Sequence, residues 1–286
     1  MKVLVLGVTG MLGSTVFKLL SESHNVWGTL RHPSGKQYFA NGLHDKLICD
    51  VNVLDQDELV SLLSEVRPDI VINCVGLIKQ LPNAKDPLVA LPVNAMFPQR
   101  LAKLCDLLGS RLVHISTDCV FSGEKGMYVE SDVSDANDLY GKSKYIGELH
   151  EFENAITLRT SIIGHELSSN SSLVDWFLSQ QGTVKGFSKA FFSGLPTIEL
   201  AHVIKEYVIP NKKLHGLYHV SVERIDKCSL LKLVADIYGK KVAIVEDSAF
   251  EIDRSLNSDK FRNETGYKPP SWPELIHNMF QFHSKN

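Results

Sequence analysis

The chain has 286 residues, 44% of them hydrophobic and 22% charged, with a formal net charge of −3. Such a chain buries a sizeable core and is neither disordered nor of low complexity. Near-neutral charge without any Lys/Arg block interleaved with aromatics argues against a nucleic-acid partner, and apolar runs such as Val3 to Leu6 and Ile70 to Ile72 fall far short of the roughly 20 residues that span a bilayer. The first apolar run meets Gly7 too soon for a secretory leader. Cys49, Cys74, Cys105, Cys119 and Cys228 show neither CxxC nor metal-like spacing, so a reducing cytoplasm without disulfides or structural zinc is expected.

In chain order, β-branched apolar runs predict strands at Lys2 to Leu6, Asn25 to Thr29, Lys46 to Cys49, Asp69 to Asn73, Arg111 to Ile115 and Ala155 to Arg159. Amphipathic stretches predict helices from Met11 to Ser21, from Gln56 to Val66 (closed by Pro68), from Asp86 or Pro92 to Leu108 (closed by Gly109), and from Tyr140 to Phe152. The alternation predicts an α/β fold, a Rossmann-type doubly wound parallel sheet. Regularity fades after Arg159. A Ser- and Gly-rich stretch from Gly164 to Pro196 precedes a helix from Thr197 to Val208, a strand from Leu217 to Val220, a helix from Lys227 to Tyr238 and a tail holding Pro269, Pro270 and Pro273. These pieces predict a smaller, interleaved C-terminal lobe, with residues 1–160 plus about 197–209 in the first domain and about 161–196 and 214–286 in the lobe.

Gly7, Gly10 and Gly13 form GxxGxxG between the first strand and first helix. Glycines there permit a tight turn and close backbone approach to phosphate, while the helix N-terminus offers free N–H groups and the positive end of its dipole. Dinucleotide binding is therefore expected; the competing reading is a turn without a ligand. A site for NAD usually presents a carboxylate about 20 residues on, after the second strand. Trp27-Gly28-Thr29-Leu30-Arg31-His32 stands there instead, and the Arg31 guanidinium suits a 2′-phosphate, which favours NADP(H). The plainer reading of Arg31 is a solvated surface charge. Asp50, after the third strand, either accepts from an adenine amino group or caps the next turn.

Tyr140 and Lys144, four residues apart, share a helix face. An adjacent ammonium favours phenolate, so a lowered phenol pKa and proton exchange with a carbonyl or alcohol are expected. Tyr and Lys recur at this spacing by chance. Position distinguishes the pair, because the fifth strand ends in Ser116-Thr117-Asp118-Cys119-Val120-Phe121. A hydroxyl at the carboxyl edge of an open α/β sheet lies where such sheets bind ligands.

GVTGMLG at residues 7–13, Asn73-Cys74-Val75-Gly76, Val93-Asn94-Ala95, the STDCVF run, Tyr140-Gly141-Lys142-Ser143-Lys144 and Leu158-Arg159-Thr160-Ser161 together resemble the extended short-chain dehydrogenase/reductases. Within them the chain is most similar to the dTDP-4-dehydrorhamnose reductase family, a likeness that extends to Thr265-Gly266-Tyr267-Lys268-Pro269-Pro270-Ser271-Trp272. The resemblance implies NADPH-dependent reduction of the 4-keto group of a nucleoside-diphosphate 6-deoxysugar, in nucleotide-sugar and surface-polysaccharide biosynthesis. It makes Tyr140 the proton donor, Thr117 its hydroxyl partner and Lys144 the residue that tunes Tyr140 and holds the nicotinamide ribose. Gly7, Thr9, Gly10, Met11, Leu12 and Gly13 would hold the pyrophosphate, Asp50 and Val51 would face adenine, and Cys74, Val75 and Gly76 would pass under the cofactor. The lobe would take the nucleotide-linked sugar, and a homodimer, common in the superfamily, is the expected assembly.

Departures surround the expected sugar pocket. Cys119 replaces an aromatic, Thr160-Ser161-Ile162-Ile163-Gly164 replaces TSWVYG, and Leu77-Ile78-Lys79-Gln80-Leu81-Pro82 differs from the family's usual run. Lys79, Cys119 and Ile162 are thus candidate substrate contacts, for a sugar that need not be the rhamnose precursor. Cys119 at the position of a dehydratase glutamate argues against dehydration. An epimerase would share Tyr140 and Lys144 with tightly held NAD. An epimerase-reductase resembling GDP-fucose synthase would use Cys119, with His165 a candidate partner; otherwise Cys119 is a small buried thiol. The non-enzymatic alternative is an NADP-binding regulatory subunit, as in methionine adenosyltransferase. No metal site is expected: His215 and His219 bracket Gly216 in a strand, where a spacing of four does not set two ligands side by side. Trp176 and Phe177 are read as helical core, and Phe191, Phe192, Ser193 and Gly194 as a lobe loop open to ligand contact.

Overall fold

Apolar residues fill alternate positions of the first strand toward both faces, so helices must cover the sheet on either side. The computed structural model, which describes residues 1–79 and 82–285 (the side chains of Pro82 and Asn83 excepted), has this architecture. Its strands are β1 (Lys2–Leu6), β2 (Asn25–Thr29), β3 (Leu47–Ile48), β4 (Ile70–Asn73), β5 (Arg111–Thr117), β6 (Ala155–Thr160), β7 (Ile162–Ile163), β8 (Thr183–Phe192), β9 (Leu195–Pro196), β10 (Gly216–His219), β11 (Ile225–Asp226) and β12 (Ala243–Asp253). Its helices are α1 (Met11–Ser21), α2 (Gln56–Val66), α3 (Pro87–Leu91), α4 (Phe97–Leu107), α5 (Leu139–Ile146), α6 (Leu173–Ser179), α7 (Thr197–Val203), α8 (Lys227–Tyr238), α9 (Asp259–Thr265) and α10 (Trp272–Lys285).

The central sheet is parallel throughout, in the order β10-β6-β5-β4-β1-β2-β3. The order reverses between β1 and β4, which opens a crevice at their carboxyl ends. Val3 and Val5 pack with α1 and α7 on one face, while Leu4 and Leu6 pack with α2 and α4 on the other, the period of two that a strand imposes. β10 belongs to this sheet, paired with β6, rather than to the lobe in which residues 214–286 were expected.

Local chemistry sets the helix ends. Asp86 caps α3 by accepting from Leu88 N–H, which resolves the alternative starts at Asp86 and Pro92. Pro92 then sits inside a continuous helix, accommodated by a π turn at Pro92–Met96. α5 stops at Ile146, short of the expected Phe152; Gly147, just beyond it, lies so near the Asn94 carbonyl oxygen that a Cβ would stand 2.0 Å from it. β5 runs past the expected Ile115 and carries Ser116 and Thr117 to its end.

The stretch after Arg159 is more ordered than its composition suggests. β8 pairs antiparallel with β11 and parallel with β12, forming a second sheet. Phe191 and Phe192 end β8 rather than forming a loop; Phe192 packs on Trp272, and buried Ser193 accepts from Leu256 N–H through its hydroxyl. Phe177 is core, as expected, but Trp176 on the same helix is exposed. The Pro-rich tail leads into α10: Pro269 and Pro270 lie in the irregular segment before it, and its first turn takes Pro273 because N–H groups there lack intrahelical partners. Among the described residues no helix is long and apolar enough to cross a membrane.

Candidate functional site

The Gly-rich turn leaves β1 with Gly7 at φ 81°, a conformation that favours glycine. Thr29 anchors it, accepting from Gly7 N–H at 3.1 Å through its hydroxyl. A Cβ on Gly13 would stand 2.2 Å from the Gly7 carbonyl oxygen, whereas one on Gly10 would meet that atom at 3.5 Å, an ordinary contact. Gly10 and Thr9 are exposed, and α1 begins without a side-chain cap or an acidic residue in its first turn. The cradle thus keeps backbone donors and a positive dipole end clear of protein side chains, which fits a pyrophosphate. Met11 lines the turn half-buried, while the Leu12 side chain is in the core, leaving its backbone for a ligand.

Beyond β2, Arg31 is exposed and, among the described residues, enters no ion pair, so its guanidinium is available to a phosphate. Asp50 is exposed at φ 59°, and it is Asp55, not Asp50, that caps α2. Half-buried Val51 donates to the Leu30 carbonyl at 3.1 Å. At the end of β4, the Asn73 amide oxygen accepts from Val75 N–H at 3.0 Å, and a Cβ on Gly76 would lie 3.9 Å from Lys144 Nζ. Burial pushes the Cys74 thiol up to about 12. The segment from Cys74 to Gly76 therefore runs beside Lys144.

Thr117 ends β5 and caps the turn that follows, accepting from Cys119 N–H at 3.1 Å and donating to Asp118 Oδ1 at 3.2 Å. α5 starts at the Asp138 cap, which accepts from Gly141 N–H at 2.8 Å. A Cβ on Gly141 would stand 2.2 Å from the Cys119 carbonyl oxygen, so helix and turn are in tight contact and the Tyr140 hydroxyl comes within hydrogen-bonding reach of Thr117. Burial, reinforced by Cys119, pushes the Tyr140 phenol above its ordinary range, with Thr117 opposing. That reverses the expected lowering. Lys144 is directed elsewhere, its Nζ donating to the Ile115 carbonyl at 2.7 Å, and burial pulls its own pKa down to about 8 against the pull of Glu148 and Cys74.

The sugar-side candidates do not converge in the same way. Lys79 pairs with Asp138 at 2.5 Å, and Ile162 is half-buried on β7. The rest of that expected loop, Gln80 and Leu81, lies outside the described residues, as does the Pro82 side chain. Burial and Asp118 push the Cys119 thiol up to about 12. His165 is not its partner: the ring bridges Asp175 at 2.5 Å and the Tyr238 hydroxyl at 2.8 Å and stacks on His283.

Three residues at the site had no role assigned from the sequence. Asn94, quoted in the Val93-Asn94-Ala95 motif, lies in the π turn, accepts from Leu77 N–H at 2.8 Å and donates to Ser143 Oγ at 3.2 Å. Arg254 donates from Nε to the Phe121 carbonyl at 2.8 Å and from Nη1 to Cys119 Sγ at 3.7 Å. Glu148 sits behind Ser116, buried with Arg159. Neither Arg254 nor Glu148 lies in a motif whose chemistry is readable from spacing.

Residues 1–283 match the family model described as RmlD substrate binding domain. The chain is 30% identical over 264 residues to a probable low-salt glycan biosynthesis reductase of Haloferax volcanii, covering 87% of this chain and 85% of that protein. It is 27% identical to methionine adenosyltransferase 2 subunit beta of Xenopus laevis, covering 83% and 72%. Its fold matches the crystal structure of dTDP-4-dehydrorhamnose reductase from Bacillus anthracis in complex with NADP, with a TM-score of 0.80 at 22% identity over 98% of this chain and 99% of that one.

Proposed function

Because the chain belongs to the RmlD substrate binding domain family of extended short-chain dehydrogenase/reductases, we propose that it is an NADP-dependent oxidoreductase that reduces the 4-keto group of a nucleoside-diphosphate 6-deoxysugar. NADPH supplies the hydride. The loop of Gly7, Thr9, Gly10, Met11, Leu12 and Gly13 holds its pyrophosphate, Arg31 the 2′-phosphate, Asp50 and Val51 the adenine, and Lys144 the nicotinamide ribose. Residues 1–160 and about 197–209, with β10 added, carry this cofactor, and the remaining lobe carries the sugar nucleotide.

One observation carries the proposal: the tight contact of Gly141 with the Cys119 carbonyl holds Tyr140 against the turn that Thr117 caps at the carboxyl edge of β5, next to the Cys74–Gly76 segment and Lys144. With its pKa raised by burial, Tyr140 holds its proton at neutral pH, the state a donor to a developing alkoxide must occupy. Thr117 orients the same oxygen, and Lys144, whose Nζ is hydrogen-bonded to the Ile115 carbonyl rather than aimed at the phenol, supplies positive charge to the site at longer range. Such a step contributes roughly 10²- to 10⁴-fold in rate.

Purified protein should oxidise NADPH when mixed with 4-keto-6-deoxysugar nucleotides, and Tyr140→Phe should abolish that turnover while leaving NADPH affinity nearly intact. NADPH binding without turnover on any such substrate would leave a regulatory subunit as the reading, in line with the methionine adenosyltransferase relative.

A further inference from the structure

We infer that Glu148 is a positioning residue that keeps Lys144 an ammonium ion inside the protein. The use of that cation in proton transfer rests on the reductase reading; the charge pairing does not.

Lys144, on α5, and Glu148, just beyond the end of that helix, are four residues apart in sequence and reach adjacent residues of β5. Lys144 Nζ donates to the carbonyl of Ile115 at 2.7 Å, and the hydroxyl of the next residue, Ser116, donates to Glu148 Oε1 at 2.6 Å. Neither side chain has water to solvate it, Lys144 being 6% and Glu148 3% exposed. Glu148 is fixed from other sides as well. Arg159 on β6, 1% exposed, reaches Oε1 from Nε at 2.9 Å and Oε2 from Nη2 at 2.5 Å, and His150 Nε2 lies 3.3 Å from Oε2. Arg159 Nη1 lies 2.9 Å from Nε2 of His219 on β10, whose Nδ1 faces the carbonyls of Tyr128 and Asn257 and therefore carries the ring proton. His219 is neutral, held down to about 3 chiefly by burial.

The other titratable groups around Lys144 bring no negative charge at neutral pH. Cys74 on β4 is a thiol, Tyr140 on the same helix is a phenol, and His114 on β5 is kept neutral by burial and by Lys144 itself. Glu148, held down to about 2 against its burial by His150, Arg159 and Ser116, is an anion. Without it the interior would hold two cations, Arg159 and Lys144. A guanidinium does not deprotonate, so the strain falls on the amine. Lys144 already sits near 8 with Glu148 present, which leaves little margin above neutral pH.

The test follows the lysine directly. In protein labelled with ¹³C at lysine Cε, the resonance that Lys144→Met removes should titrate near pH 8. Glu148→Gln should lower that midpoint by at least one pH unit, a tenfold loss of ammonium, and Glu148→Asp should restore most of it. The alkaline limb of kcat/KM should move by the same amount. Glu148→Gln leaves Arg159 buried without its partner and can fail to fold; Glu148→Gln with Arg159→Met removes that cation too, and a lowered midpoint is expected there as well. A midpoint unchanged in the folded variants overturns the inference and leaves Glu148 a structural partner of Arg159. A lowered midpoint in a protein that reduces no sugar nucleotide sustains the charge pairing and sinks the reductase reading instead.

Discussion

Gly13 approaches the Gly7 carbonyl oxygen so closely that a Cβ would stand 2.2 Å away, whereas a Cβ on Gly10 would stand 3.5 Å from the same oxygen. The two glycines therefore serve different demands, one internal packing and the other open space above the turn. Gly13→Ala should destabilise the fold by about 1–3 kcal/mol, the usual range for overpacking a rigid site. Gly10→Ala should leave thermal stability nearly unchanged and weaken NADPH binding by an order of magnitude or more, measured by fluorescence titration. Equal loss of stability in both variants would show that Gly10 serves packing alone.

In the proposed reading, Arg31 sets the choice between the two nicotinamide cofactors. It is exposed and unpaired among the described residues, with no carboxylate at the end of β2 to favour a ribose hydroxyl. A hydrogen bond to a charged group contributes about 1.5–3 kcal/mol, on the order of ten- to a hundredfold in affinity. Arg31→Ala should lose that factor for NADPH and change NADH affinity little. Parallel losses for both cofactors would remove Arg31 from the 2′-phosphate.

What the sequence reveals and what it hides divide along physical lines. The boundaries of β1, α1, β2 and α2 follow from local signals: apolar runs, the glycines at 7, 10 and 13, and Pro68 beyond α2. Thr117, Tyr140 and Lys144 stood out by their place at a strand end and on one helix face, and their expected roles came from the family resemblance. β8 and β12 were not, since β12 is mostly exposed and pairs with β8 across a long stretch of chain, leaving no alternation to read. The close packing of Gly147 on Asn94 and the rise in the Tyr140 pKa from burial are tertiary effects. Arg254 reaches Phe121 across 133 residues, beyond any local pattern.

Acid should unfold the protein in two overlapping stages. His219 is held down to about 3 from 6.5, and Glu148 down to about 2 from 4.5. In each case the unfolded chain binds more protons than the folded one between the two values, so stability falls as pH falls. The His219 contribution is complete above about 6.5 and lost toward 3; that of Glu148 is complete above about 4.5 and lost toward 2. Melting temperature should therefore drop between pH 6.5 and 4.5 in the native protein, by about 2–4 °C for each kcal/mol in a chain of this size. In His219→Gln the melting temperature should be lower at neutral pH and fall less steeply across that interval, with a residual slope from buried His114, whose pKa is also lowered. An undiminished slope would mean that His219 is not the group responsible.

Cys119 is poorly suited to proton abstraction. Burial and Asp118 push its thiol up to about 12, with only Arg254 and Thr117 in opposition, and His165 is committed to Asp175 and Tyr238. Product formed in heavy water should carry no solvent deuterium on the ring carbons next to C4, as mass spectrometry or NMR would show. Cys119→Ala should reduce the same substrate within a few-fold of the native rate. Ring deuterium that disappears in Cys119→Ala would establish an epimerase step.

Arg254 couples the small sheet to the reactive turn. It follows β12, donates to the Phe121 carbonyl at 2.8 Å, and favours the carboxylate form of Asp118, which burial otherwise disfavours. A Cβ on Gly123 would meet Ile252 Cγ1 at 2.4 Å and Arg254 Cγ at 3.0 Å, so the strand end and the turn leave each other no slack. Asp118 Oδ1 in turn accepts from the Thr117 hydroxyl at 3.2 Å. Removing the guanidinium leaves the Phe121 carbonyl without this donor and shifts Asp118 toward its protonated form, which frees Thr117 to turn from the position it shares with Tyr140. Arg254→Ala should lower kcat by on the order of ten- to a hundredfold, the loss of one charge-assisted contact expressed in rate. NADPH affinity should hold, because the cradle at residues 7–13 lies at the other end of this chain of contacts. Arg254→Lys should recover part of the rate, since an ammonium can meet one acceptor but lacks the planar fork that reaches both Phe121 and Cys119. A fall in NADPH affinity that matches the fall in kcat would place Arg254 at the cofactor instead of the Thr117 turn.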